Sequence, residues 1–99
     1  MNISINSVKF KADGKLQSFI ENKVGKLNSI YEGIHSGEVI LRVDNDEQRE
    51  NKITEIKLKL KGSELFAKKR SKSFEEGTDL VVDALKKQLV KHKDKQRKH

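Results

Sequence analysis

Thr54-Glu55-Ile56-Lys57-Leu58-Lys59-Leu60-Lys61-Gly62-Ser63 is the stretch that decides the architecture. Thr54, Ile56, Leu58 and Leu60 alternate with Glu55, Lys57, Lys59 and Lys61. A period of two sends successive side chains to opposite faces of a strand, so one face is apolar and buried while the other is basic and wet. Gly62-Ser63 fits a two-residue hairpin turn that begins with glycine. A fourth strand, Glu64 to Lys72, then runs back alongside. A sheet with one wet face must gather its helices on the other.

The neighbouring segments supply those helices. Downstream, Ser73-Phe74-Glu75-Glu76 reads as a capping box, with the serine hydroxyl accepting from the Glu76 backbone N–H and the Glu76 carboxylate reaching back. The helix it opens carries Val81, Leu85 and Leu89 on one face, flanked by Val82, Gln88 and His92. It is expected to fray near Gln96-Arg97-Lys98-His99. Upstream, Val39, Leu41 and Val43 alternate as a second strand, followed by a polar, acid-rich loop from Asp44 to Asn51. Leu16, Phe19, Ile20, Val24, Leu27 and Tyr31 recur at steps of three and four, one apolar stripe on a first helix of about four turns. Asp13 suits its N-cap, and Gly33, Ser36 and Gly37 close it. Ile3, Ile5 and Ser7 alternate in a first strand, and the phase shift to Val8 and Phe10 suggests a bulge near Ser7-Val8.

The order is β-α-β-β-β-α. The first helix can cross over between two parallel strands, and the remaining strands can meander antiparallel. The expected fold is α+β: a two-layer sandwich of a four-stranded mixed sheet with two helices on one face.

The chain has 99 residues, the natural size of one domain. Charged residues (37%) outnumber hydrophobic ones (33%), yet the apolar positions are periodic, so a folded core is expected rather than disorder. Cysteine is absent, which removes disulfides and Cys-based zinc sites and fits a reducing cytosol. No apolar run is long enough to span a bilayer, and Met1-Asn2-Ile3-Ser4-Ile5 lacks the pattern of a signal peptide. A soluble cytoplasmic protein is expected.

The net charge of +7 is unevenly placed. Residues 1–50 hold seven Lys/Arg against eight Asp/Glu, whereas residues 51–99 hold fifteen against seven. A concentrated basic field suits a polyanion. Its centre is the last helix, where seven Lys/Arg and one acid, Asp94, lie between Ala84 and the end. At 100° per residue, Lys87, Lys91, Lys95 and Lys98 form one row, and Lys86, Lys93 and Arg97 a second on the other flank. Asp79 and Asp83 suit the positive end of the helix dipole, and two or three of the lysines suit its negative end, but not seven. Such rows repeat every 5–6 Å, comparable to phosphate spacing. The scarcity of arginine and aromatic residues among them favours backbone and shape recognition over base reading. Lys57, Lys59 and Lys61, with Lys68, Lys69, Arg70 and Lys72, are candidates to enlarge this surface.

Catalytic constellations are missing. His35, His92 and His99 make no metal-ligand spacing. No serine sits in a nucleophile motif and no glycine-rich phosphate loop is present. Asp44-Asn45-Asp46-Glu47 matches only a fragment of a calcium loop and reads as a solvated hairpin.

Asp79-Leu80-Val81-Val82-Asp83-Ala84-Leu85-Lys86-Lys87-Gln88-Leu89-Val90-Lys91-His92-Lys93, with Glu21-Asn22-Lys23-Val24-Gly25-Lys26-Leu27 on the first helix, resembles the ribosome hibernation promoting factors and ribosome-associated inhibitors. The resemblance spans nearly the whole chain, and its most specific part runs from Asp79 to Lys93. It implies a double-stranded-RNA-binding-domain-like fold. It also implies docking on the small ribosomal subunit and its ribosomal RNA, between head and platform. There the domain would cover the messenger-RNA channel and the transfer-RNA A and P sites, silencing and preserving ribosomes in slow growth. By position, Lys86, Lys87, Lys91 and Lys93 would face ribosomal RNA, with Lys23 and Lys26 as secondary candidates. Residues 1–95 would be a single ribosome-binding domain and 96–99 a flexible basic tail, as in the short form of the family. Ribosome pairing with other factors stays open. Gly77-Thr78 and the position of Phe74 depart from the family pattern and suggest a looser start to the last helix.

Three classes of function thus compete: a ribosome-docking inactivator, a general binder of double-stranded nucleic acid, and a module for an acidic protein. A membrane-surface role is disfavoured, because the sheet needs the apolar face of the last helix. No enzyme activity, cofactor, metal or small-molecule substrate is expected.

Overall fold

The computed structural model describes residues 1–44 and 50–97, with side chains to residue 95. The elements are β1 (Asn2–Ser7), α1 (Gly14–Gly25) continued by a 3₁₀ turn (Lys26–Ser29), β2 (Ile34–Val43), β3 (Lys52–Leu60), β4 (Ser63–Ser71) and α2 (Phe74–Arg97). They form one four-stranded sheet in the order β1-β2-β3-β4. β1 pairs parallel with β2, and the other pairs are antiparallel. The expected α+β sandwich, with α1 as the crossover, is the fold observed.

Alternation in β3 places Thr54, Ile56, Leu58 and Leu60 in the core, where they meet Val39 and Leu41 of β2. Ile20, Val24 and Leu27 from the first helical segment and Val81, Leu85 and Leu89 from α2 cover the same face. Each fully buried aliphatic side chain of this kind contributes about 1.5–3 kcal/mol relative to its exposed state.

Local chemistry sets the helix boundaries. The Asp13 carboxylate accepts from the Leu16 backbone N–H at 2.8 Å and caps α1. The Ser73 hydroxyl accepts from the Glu76 N–H at 3.1 Å, the serine half of the expected capping box.

Three local expectations are corrected. β1 ends without a bulge: Val8 N donates to Leu41 O at 2.9 Å, and the chain then turns through Lys9 at φ 65°, which also shifts the phase of Phe10. The sheet's irregularity lies instead between Ile34 and Ser36 of β2. Ser36 and Gly37 do not close the helix but belong to β2, where Gly37 pairs with Ile3 and Leu58. The β3–β4 turn is Lys61-Gly62, closed by the Leu60–Ser63 pair, with glycine second at φ +76°, the backbone region that a type II turn requires there.

The start of α2 is tight rather than loose. Phe74 is buried and stacks on Phe10 with ring centroids 5.1 Å apart. The Thr78 hydroxyl, also buried, donates to Phe74 O at 2.7 Å. The backbone of α2 continues helical through Arg97. Lys98, His99 and the loop residues Asn45, Asp46 and Glu47 lie outside the described residues.

Candidate nucleic-acid interface

Burial of one stripe fixes what α2 shows to water. With Val81, Leu85 and Leu89 locked against β3 and β4, Lys86, Lys87, Lys91, Lys93 and Lys95 are all exposed. Among the described residues, Leu89 is the last core residue of the helix. Beyond it, His92 is half-buried against Tyr31 in an edge-to-face contact at 5.2 Å, and Lys93, Asp94 and Lys95 are exposed. The cationic segment therefore extends about a turn and a half past the core, from Lys91 to Lys95. Gln88 fixes the β4 side of the helix by donating to Phe66 O at 3.0 Å.

The two rows meet different surroundings. Lys86 joins Lys23 and Lys26 along a groove of about 560 Å³ between the two helices, which Asp79 and Asp83 also line. Lys23 bridges to Asp79 at 3.2 Å and so ties α1 to α2. On the other row, Lys87 pairs with Asp83 at 3.4 Å, one helical turn back. The two aspartates read as dipole residues thus also engage two of the candidate cations. Both pairs are substantially exposed, and such pairs contribute about 0–1 kcal/mol, so a phosphate could take over either lysine at small cost. Lys26, Lys86, Lys91, Lys93 and Lys95 carry no ion pair among the described residues. Arg97 lies in the helical backbone, and Lys98 lies outside the described residues.

Four of the strand cations lie on the other side of the sheet from this surface. Lys57, Lys59, Lys68 and Arg70 alternate onto the sheet face opposite the helices, where Arg70 pairs with Asp44 at 2.6 Å and Arg42 pairs with Glu55. Lys69 has the other parity, opposite the buried Thr54, and Lys61 sits in the turn. Sequence reasoning gave Phe66 no role, yet it is 49% exposed on the open face, opposite Lys57. Its even register with Lys68 and Arg70 was the signal.

Among the described residues there is no cluster of three or more His, Cys, Asp or Glu that could hold a metal ion. No described helix is long and apolar enough to cross a membrane. The chemistry on offer is reversible electrostatic contact along an exposed rod.

Fold and charge together define a class: double-stranded-RNA-binding-domain-like α+β sandwiches whose last helix carries an exposed cationic face. Within it, the chain belongs to the family described as Sigma 54 modulation protein / S30EA ribosomal protein, whose family model matches residues 3–97. It is 29% identical over 96 residues to a ribosome hibernation promoting factor of Azotobacter vinelandii, covering 97% of this chain and 86% of that one. It is 28% identical over 99 residues to the ribosome hibernation promoting factor of Escherichia coli K12, covering 100% of this chain and 98% of that one. Its fold matches a ribosomal subunit interface protein from Coxiella burnetii with a TM-score of 0.84 at 23% identity, over 95% of this chain and 99% of the other. The N-terminal domain of Thermus thermophilus Protein Y matches with a TM-score of 0.78 at 20% identity, over 90% and 96%.

Proposed function

We propose that this protein is a ribosome hibernation factor. It binds the small ribosomal subunit through ribosomal RNA and blocks the messenger-RNA channel and the transfer-RNA A and P sites. Translation is thereby inhibited and ribosomes are preserved in slow growth. In this reading residues 1–95 are the ribosome-binding domain, 96–99 a basic tail, and the site of action is the cytoplasm. Action is steric: a rigid domain occupies a phosphate-lined channel, and no bond is made or broken.

The observation that carries the reading is the exposed cationic rod of α2, with Lys86, Lys87, Lys91, Lys93 and Lys95 held outward by a fully buried stripe. Lys23 and Lys26 extend it across the inter-helix groove. Full-length similarity to proteins named ribosome hibernation promoting factors supports the choice of partner.

Cosedimentation with purified small subunits tests it. Binding should weaken steeply with salt, because each neutralised phosphate releases counterions. Unchanged binding between low and moderate salt would refute the electrostatic mechanism. The second reading, a general binder of double-stranded RNA, is favoured by the same lysine rows. Competition separates the two: ribosomes should outcompete free duplex RNA under the first, and equal affinity would support the second.

A further inference from the structure

We propose that the uncovered face of the sheet is a second RNA-binding surface, one that takes an unpaired ribonucleotide segment by stacking a base on Phe66. It concerns a different face from the one used by the ribosome reading, and a different form of RNA.

Three observations on that face converge. The first is the ring itself. Phe66 is 49% exposed on β4, on the side away from both helices, with the half-buried Ile40 and Ile53 on the same face. A lone exposed apolar residue needs no explanation. The second is that cations flank it: Lys57 lies opposite it in register, Lys68 follows two residues on along β4, and Lys59 follows Lys57 along β3, with Glu64 opposite Lys59 and Glu55 opposite Lys68. None of these three lysines has an ion pair among the described residues.

The third is a shallow cleft of about 170 Å³ on the same sheet face, lined by Asn2, Ser4, Ser36, Glu38, Lys57 and Lys59 among others. Amide, hydroxyl and carboxylate groups beside two ammonium groups offer donors and acceptors together. A run of phosphates would not use Glu38. The edge of a nucleobase, with its own mixture of donors and acceptors, would.

This combination selects unpaired over duplex RNA. A duplex keeps its base faces stacked inside and presents phosphates and ribose hydroxyls, which suit the lysine rows of α2. An exposed ring with flanking lysines instead suits a strand whose bases can be splayed out: ring on base, ammonium groups on the backbone. The lysines supply the electrostatic attraction, Phe66 the stack, and the polar cleft the neighbouring base edge.

The test measures binding of a short labelled oligoadenylate and of a blunt RNA duplex by fluorescence anisotropy. Phe66→Ala should weaken oligoadenylate binding about 5- to 100-fold, the contribution of stacking one base on an aromatic ring, and leave duplex affinity unchanged. Phe66→Trp should retain binding, while Phe66→Leu should behave like the alanine variant, which separates stacking from simple apolar bulk. Because the ring is half exposed, the fold should survive all three changes. If the wild-type protein fails to bind oligoadenylate, or if Phe66→Ala binds it equally well, the proposal is overturned and the face is left for a protein partner. A parallel arm with Lys87, Lys91 and Lys95 reversed to glutamate separates the two readings. Retained cosedimentation with small subunits in that variant refutes the helix interface alone, and oligoadenylate binding insensitive to Phe66 refutes the sheet interface alone.

Discussion

Gly77 lets the start of α2 lie close against β3 and β4. A Cβ there would lie 2.5 Å from Thr54 Oγ1 and 2.7 Å from Ser71 Oγ. Thr54 is fully buried, and the Ser71 hydroxyl is already committed to Ser73 O at 2.6 Å, so neither atom yields easily. Overpacking of this kind costs about 1–3 kcal/mol, while alanine returns about 1 kcal/mol of helix propensity. Gly77→Ala should therefore lower stability by about 1 kcal/mol, read as a lower urea midpoint at constant slope. Adding Thr54→Ala should relieve part of that loss, and a double-mutant cycle should give a coupling above about 0.5 kcal/mol. At the other helix, Asp13→Ala removes the α1 cap and should cost about 1 kcal/mol in the same assay. The caps were legible in the sequence because they depend on residues three apart. Gly77 and Gly37 were not, because the reason for each lies on another element: the hydroxyls of β3 and β4 for one, pairing with β1 and β3 for the other.

At the scale of elements, α2 serves two purposes at once. Its inner stripe anchors the fold and its outer rows present charge. The two should be separable by mutation. Leu89→Ala empties a fully buried position and should cost about 2–5 kcal/mol of stability. Reversal of Lys87, Lys91 and Lys95 touches only exposed positions and should leave the thermal midpoint nearly unchanged while abolishing cosedimentation with small subunits. Neutralising the same three lysines should reduce the slope of log affinity against log salt by about 3, one unit for each phosphate left without its ammonium partner. Lys87 is expected to contribute least of the three, since Asp83 competes for it. The periodicity of α2 made these rows readable in the sequence. The ion pairs were only half readable: Asp83–Lys87 is a neighbour on one helix, but Lys23–Asp79 exists only because α1 and α2 are laid side by side.

For the whole molecule, the alternation in β3 and the order of elements were enough to expect one covered and one open sheet face. They put Lys57 and Lys59 on the open face but did not indicate which residues of β4 would lie beside them. That follows from register: Lys57 faces Phe66 and Lys68 faces Glu55 across β3 and β4, away from the layer that holds Leu85 and Leu89. If the open face takes unpaired RNA as proposed, the helix and sheet surfaces should act independently. Combining neutralised Lys87, Lys91 and Lys95 with Phe66→Ala should therefore give effects on oligoadenylate affinity that add within about 0.5 kcal/mol, measured in one salt condition, because the sites share no partner.

The parallel pairing of β1 with β2 bears on how the molecule comes into being. β1 leaves the translating ribosome early, yet its hydrogen-bonding partners, Ser36 to Leu41, are made only after the whole crossover. α2 is polymerised after all four strands. A helix in a protein gains most of its stability by docking its amphipathic face. The nascent chain thus carries β1 before its partner strand exists and acquires its cationic helix after the four strands. Ordered cations on that helix are a late product of vectorial synthesis, withheld until the scaffold beneath them exists.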